Sequence, residues 1–222
     1  MSTILNLLKD YLPLLIWITL FSLGGIWIIQ SSFNLRKNEQ ALVGVGLGIV
    51  LQIWLSNILA QVIPFTTAIM ASAALIAITG LVFSIKRIAG RPLKLFEIPI
   101  QPLQWLALAG LAYLFIRLGR GLAILDDYQN LPITSLLATG DVPPHFALDP
   151  DKVFSYHYFS MLFAAELMRI GDMFVWTALD IARGLGFAIS LILGALFVLV
   201  TLLLPRGIVG LLGRLQRKGD TP

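Results

Sequence analysis

The sequence predicts an all-α membrane protein that crosses the bilayer about five times, with one long acidic segment carrying short interfacial helices between the fourth and fifth crossings. Three observations carry this expectation. The chain is 58% hydrophobic and 13% charged, with a mean hydropathy of +0.87. That is more apolar surface than a soluble domain can hide, so the bilayer has to act as its solvent. Apolar runs near the length of a bilayer crossing recur along it, and lysines and arginines gather in alternate connections between them.

The first run, Tyr11–Gln30, lacks a basic leader and a small-residue cleavage site, so it reads as a retained helix. The second is Ala41–Val62. The third, Phe65–Ile85, follows at once, and Pro64 predicts a tight turn between them. The fourth covers Leu103–Leu118. The fifth, from Trp176 to Leu204, would reach over about 40 Å at the helical rise of about 1.5 Å per residue. Its first two turns, which carry Asp180 and Arg183, are expected to stand above the hydrocarbon.

Charge sets the orientation. Arg36 and Lys37 follow span one, Lys86, Arg87, Arg91 and Lys94 follow span three, and Arg206, Arg214, Arg217 and Lys218 follow span five. Positive loops stay cytoplasmic, and five spans put all three on one side. The net charge of +4 is thereby a matter of orientation, with no reason to expect nucleic acid as a partner. The N-terminus and residues 119–175 then face outward, the latter with Asp126, Asp127, Asp141, Asp149, Asp151, Glu166 and Asp172 against Arg120, Lys152 and Arg169. Three regions follow: helices one to four (1–118), the acidic outer segment (119–175), and the fifth helix with a basic tail (176–222).

Within the outer segment, "NLPITSLLATG" suits a short helix capped by Asn130 or Leu131, with Pro132 in its first turn and Gly140 ending it. "DVPPHFALDPD" is rich in turn residues and is expected along the membrane surface. "VFSYHYFSMLFAAELMRIG" carries Tyr156, His157 and Tyr158 at one end, and a sixth span would put the basic tail outside, so it reads as an interfacial helix.

Several chemistries are excluded or disfavoured. The absence of cysteine removes disulfides, thiolate metal sites and cysteine nucleophiles, and two histidines, His145 and His157, argue against a histidine-rich metal centre. "GVGLG" lies inside an apolar span with no strand before it, so Gly44 and Gly48 read as a small-residue face for close helix packing, with this chain or with another membrane subunit. Gln52, Asn57 and Gln61 read as hydrogen-bonders between helices. Spans one to three hold no ionisable residue at mid-depth, which counts against a transporter.

The remaining candidates have two readings each. Asp126 and Asp127 in "ILDDYQNLP" are either a hydrated loop or a general base and cation ligand. Arg117 and Arg120 either snorkel to head groups or clamp a lipid phosphate. Asp180 and Arg183, three apart on a helix, either neutralise each other or orient an anionic substrate. His157, among aromatics, is either an interfacial hydrogen-bonder or part of a sugar-stacking surface.

The order of parts across residues 117–190 adds a resemblance. An acidic motif, "DD", then "PP", then "YHY", then interfacial helices and "ALDIARGLG" opening a long span, resembles the N-terminal portion of GT-C superfamily glycosyltransferases. The resemblance implies transfer of a sugar from a polyprenyl-phosphate donor at the outer face, with inversion. It gives the role of base to Asp127 or Asp126, Asp127 first, with Mg or Mn as a possible helper at the same pair. Arg117, Arg120, Asp180, Arg183 and His157 would bind the lipid-linked substrate. Members of the superfamily carry many more spans after the first outer loop, where this sequence holds one. Two readings follow: the front part of such an enzyme, or an accessory subunit of a larger membrane complex.

Overall fold

Long uninterrupted apolar runs can satisfy their backbone groups in lipid only by closing helical hydrogen bonds within the segment, and this chain does so. A computed structural model describes residues 2–33, 35, 37–88, 102–121, 126–146, 148–154, 157–187 and 190. In chain order these form α1 (Ser2–Ser32), α2 (Lys37–Leu59), α3 (Phe65–Ile88), α4 (Pro102–Gly121), α5 (Asp127–Thr139), the strands β1 (His145–Phe146) and β2 (Asp149–Val153), and α6 (Phe159–Gly171). A last helix, α7, covers residues 175–187.

Three helices are long and apolar enough to cross a membrane: Tyr11–Ser32, Glu39–Leu59 and Phe65–Ile85, matching the first three expected spans. The expected tight turn is present, closed by backbone bonds from Val62 and Ile63 to the Leu59 carbonyl, with Pro64 accepting from Ala68 as α3 begins. α4 is helical over the fourth expected span, and α7 over the start of the fifth. The rest of the fifth, apart from Ser190, and the basic tail lie outside the described residues.

α1 packs closely on both neighbours because small residues line the contacts. A Cβ built on Gly25 would run into the Gly44 carbonyl oxygen, and one on Gly48 into that of Phe21. Gly24 meets the Ile76 backbone of α3 in the same way. The Gly44/Gly48 face expected for close packing is therefore filled by α1 of the same chain, and a partner subunit would have to use another surface. Trp17, Phe21, Ile49, Ile69, Ala73 and Ile76 are buried between the three helices. Leu15, Ile16, Val50, Trp54, Ile78 and Val82 face outward and are exposed, as helices bathed in lipid require.

The segment 119–175 departs from expectation in three places. α5 starts at Asp127 with Asp126 at its cap, not at Asn130 or Leu131, so Pro132 lies inside the helix. Acidic residues favour a helix N-terminus, and the "DD" pair takes that position. Gly140 ends α5 as expected, with a φ of 102° that favours glycine. "DVPPHFALDPD" contains a small antiparallel hairpin, β1 with β2. Its strands of two and five residues are too short to show an alternating pattern.

The third departure concerns α6. Its 13 residues make it about 20 Å long, short of a bilayer crossing, as expected. It does not lie on a surface, however: all of residues 161–167 are buried. Phe163 stacks near Trp17 and Phe21 of α1, with ring centroids 5.7 and 6.4 Å apart. On α3, Thr66 Oγ1 accepts from Arg169 Nε at 2.9 Å. α6 is thus a short helix packed into one end of the three-helix bundle, and its middle belongs to the core. It ends at Asp172, whose φ of 49° lies in the left-handed region that aspartate tolerates better than most residues.

Candidate functional site

α4 and α7 lie against each other: Phe115 stacks on Phe187 with centroids 4.1 Å apart, and the absence of a side chain at Gly184 admits Ile116. This contact sets Arg120, the last basic residue of α4, beside α7. Residues three apart share a helix face, so Asp180 and Arg183 both point toward this corner. α5 brings its first residue, Asp127, to the same place.

The result is two ion pairs between helices. Arg120 binds Asp180 with both ends of its fork, Nε to Oδ1 at 3.2 Å and Nη2 to Oδ2 at 2.6 Å, while its guanidinium lies 5.2 Å from the Trp176 ring centre. Arg183 Nη1 donates to Asp127 Oδ1 at 2.5 Å. The side chains of this second pair are the more enclosed, 11% exposed for Arg183 and 23% for Asp127. The expected pairing of Asp180 with Arg183 does not occur. Each is drawn to an opposite charge from another helix, which their side-by-side placement on α7 leaves within reach.

Arg183 has more donors than Asp127 uses. Its Nη2 is buried and has no hydrogen-bond partner among the described residues, an arrangement that favours an incoming anion. Asp126 is exposed at the cap of α5 and its side chain makes no capping hydrogen bond. Arg117, one turn before Arg120, is exposed on α4. His157 is exposed on the approach to α6. The corner thus gathers Arg120, Asp127, Asp180 and Arg183, with Asp126 adjoining; Arg117 and His157 stand at exposed positions on flanking segments.

As a metal site the aspartate pair fits poorly. Asp127 already has a guanidinium as its positive partner, and among the described residues no group of three or more acids and histidines is placed to hold an ion.

A second polar cluster was not anticipated. Glu166 is fully buried in α6; Ser56 Oγ meets its Oε1, and Gln52 Nε2 lies 3.5 Å from its Oε2. Gln52 was expected to hydrogen-bond between helices and does so, to the Ile69 carbonyl of α3 at 3.2 Å as well. Desolvation pushes the Glu166 carboxyl up to about 8, against the weaker opposite pull of Ser56 and Gln52. Nearby, Tyr158 donates to Asn57 Oδ1 at 2.8 Å, and burial raises its phenol above the ordinary tyrosine value. Gln61, the third such candidate, bonds within its own segment, to the Asn57 carbonyl at 3.2 Å. The sequence held a signal for Glu166: one acid inside "MLFAAELM", beside two alanines that permit close approach.

At the start of the hairpin, Asp141 accepts from the His145 backbone N–H at 2.8 Å and pairs with its ring Nδ1 at 2.6 Å. This holds the imidazole in one orientation.

No family model, curated protein or solved structure matches the chain.

Proposed function

We propose that this chain is the front module of a membrane glycosyltransferase of the GT-C kind, with five spans and the α4–α5–α7 corner on the outer side. The positive loops support that orientation, because it leaves the acidic segment outside and the basic segments in the cytoplasm. The observation that carries the reading is the corner itself. An exposed carboxylate, Asp126, is the chain neighbour of Asp127, which binds Arg183, and the buried Nη2 of Arg183 has no partner among the described residues.

The chemistry follows from that pairing of charges. Asp126 takes the proton of an acceptor hydroxyl as its oxygen attacks the anomeric carbon of a polyprenyl-phosphate sugar. The bond from that carbon to the phosphate oxygen breaks, the configuration inverts, and the lipid phosphate leaves as the anion. Arg183 Nη2 meets the phosphate charge, and Arg117, exposed on α4, is the second cation assigned to it. Asp127 positions Arg183 and is for that reason the weaker choice of base: its own oxygen is held by the guanidinium. His157 stays with the sugar-binding group, on an exposed segment whose neighbours are aromatic. No step is assigned to a metal.

Transfer from a synthetic polyprenyl-phosphate sugar, measured on the full-length native protein in lipid vesicles, tests this reading. Asp126→Asn should lose transfer at least 100-fold with folding intact, in the range that general base catalysis contributes. Asp127→Asn should chiefly weaken donor binding. Wild-type rates in both variants would remove the catalytic role.

One observation favours a second reading. Both ion pairs join helices from different parts of the chain, as a clamp in an accessory subunit would. In that case neither aspartate variant affects transfer by the complex, and breaking Arg120–Asp180 changes which subunits co-purify.

A further inference from the structure

Glu166 sits where a charge is costly. It lies one residue from the end of the buried stretch 161–167 of α6, facing Gln52, about 10 Å along α2 from its end at Leu59. Its surroundings are the apolar flanks of α1, α2, α3 and α5, and its two hydrogen-bond partners, Ser56 and Gln52, are both neutral. Among the residues whose side chains are described, the ionisable groups on the packed elements are directed elsewhere. Arg169, one turn along α6, donates to Thr66; Tyr158 donates to Asn57; Asp127 of α5 is bound by Arg183, and Tyr128 is exposed. On α1, Tyr11 is exposed, Glu39 stands at the far end of α2, and Phe65–Ile85 of α3 contains no ionisable residue.

Ser56 Oγ donates to Glu166 Oε1, with the Ile53 carbonyl 3.1 Å away as a second acceptor. The two Gln52 Nε2 hydrogens are taken by the Ile69 carbonyl and Glu166 Oε2. Both partners are neutral donors, and among the residues whose side chains are described no cation reaches the carboxyl to offset an ionised form.

We propose that Glu166, with Ser56 and Gln52, is a proton-binding site, and that the bound proton keeps α6 seated in the three-helix bundle. Losing the proton would leave a carboxylate with no cation in an apolar enclosure. α6 would then be driven outward, taking with it α5, which packs on it and carries Asp127. The site therefore links proton activity to the placement of the charged corner. The inference does not depend on the glycosyl-transfer reading.

The test uses the full chain in lipid vesicles. The sequence has three glutamates, Glu39, Glu97 and Glu166, so carbon-13 carboxyl labelling of glutamate reads each titration by NMR in the wild type. One resonance should titrate near pH 8, and it should vanish in Glu166→Gln. At pH 7 that site should hold about ten protonated carboxyls for each ionised one, being about one unit below its midpoint. Hydrogen exchange over residues 161–167, corrected for the intrinsic rate, should rise across the same pH interval and stay flat in Glu166→Gln. All three glutamates titrating in the ordinary acidic range would overturn the proposal. So would a Glu166 resonance that responds to sodium at constant pH, which would make this a cation site, or exchange that rises equally in the glutamine variant.

Discussion

Arg183 and Asp127, 56 residues apart in the chain, meet with Nη1 2.5 Å from Oδ1 in a setting where both side chains are mostly enclosed. This pair ties α5 to α7, and nothing replaces it if one partner is removed. Arg183 already carries one unsatisfied nitrogen, so losing Asp127 would leave a buried guanidinium with no compensation at all. Breaking a buried pair costs about 3–5 kcal/mol when enclosure is complete; with Asp127 partly open to solvent, about 2 kcal/mol is expected for Asp127→Ala. Thermal unfolding in detergent should show a fall of roughly 5 °C for a chain of this size. A double-mutant cycle with Arg183→Ala should return most of that loss as coupling. Additive losses would mean the contact contributes little.

The Arg120–Asp180 pair is better formed and should matter less. It uses both ends of the fork, but Arg120 is 41% exposed, so water and salt screen it. Arg120→Ala is expected to cost about 1 kcal/mol or less, and raising salt should erase much of that difference. Arg120→Lys should lose the bidentate geometry and part of the contact with Trp176 while keeping the charge. A loss equal to that of Asp127→Ala would show that exposure is not what separates the two pairs.

At the α1–α2 contact the limiting atoms are backbone. A side chain at Gly44 would press on the Ile26 main chain, which cannot step aside as a flexible side chain can. Gly44→Leu should therefore separate α1 from α2 and lower detergent stability by about 1–3 kcal/mol or more. Gly110, where a Cβ would meet nothing within 4 Å, is the control and should accept alanine silently. Equal tolerance at both positions would show that the close approach is not needed.

Much of this architecture was legible because it follows from local patterns. Spans one to three follow from apolar length, the α2–α3 turn from Pro64, the end of α5 from Gly140, and the close packing from Gly44 and Gly48. What could not be read depends on which segments meet. "DD" and "ALDIARG" were both visible as candidates, yet Asp127 and Asp180 choose partners on other helices, which spacing along the chain does not encode. The burial of α6 was hidden for a related reason. An apolar helix of 13 residues has the same composition whether it floats at an interface or fills a bundle, and the distinguishing residue was Glu166, an acid that needs Gln52 and Ser56 from another segment.

The last prediction follows from that acid. In the folded chain the Glu166 carboxyl titrates at about 8, against an ordinary value of 4.5. Below pH 4.5 both folded and unfolded chains hold the proton, so the group imposes no cost. Between these values the folded chain binds a proton that the unfolded chain has released, so stability falls as pH rises. Above about pH 8 both have lost it, and the full cost, several kcal/mol by linkage, is in place. Unfolding measured from pH 5 to pH 9 should show this decline, and Glu166→Gln, which keeps the shape without the ionisation, should flatten it. A decline that persists unchanged in Glu166→Gln would assign the pH dependence to some other group.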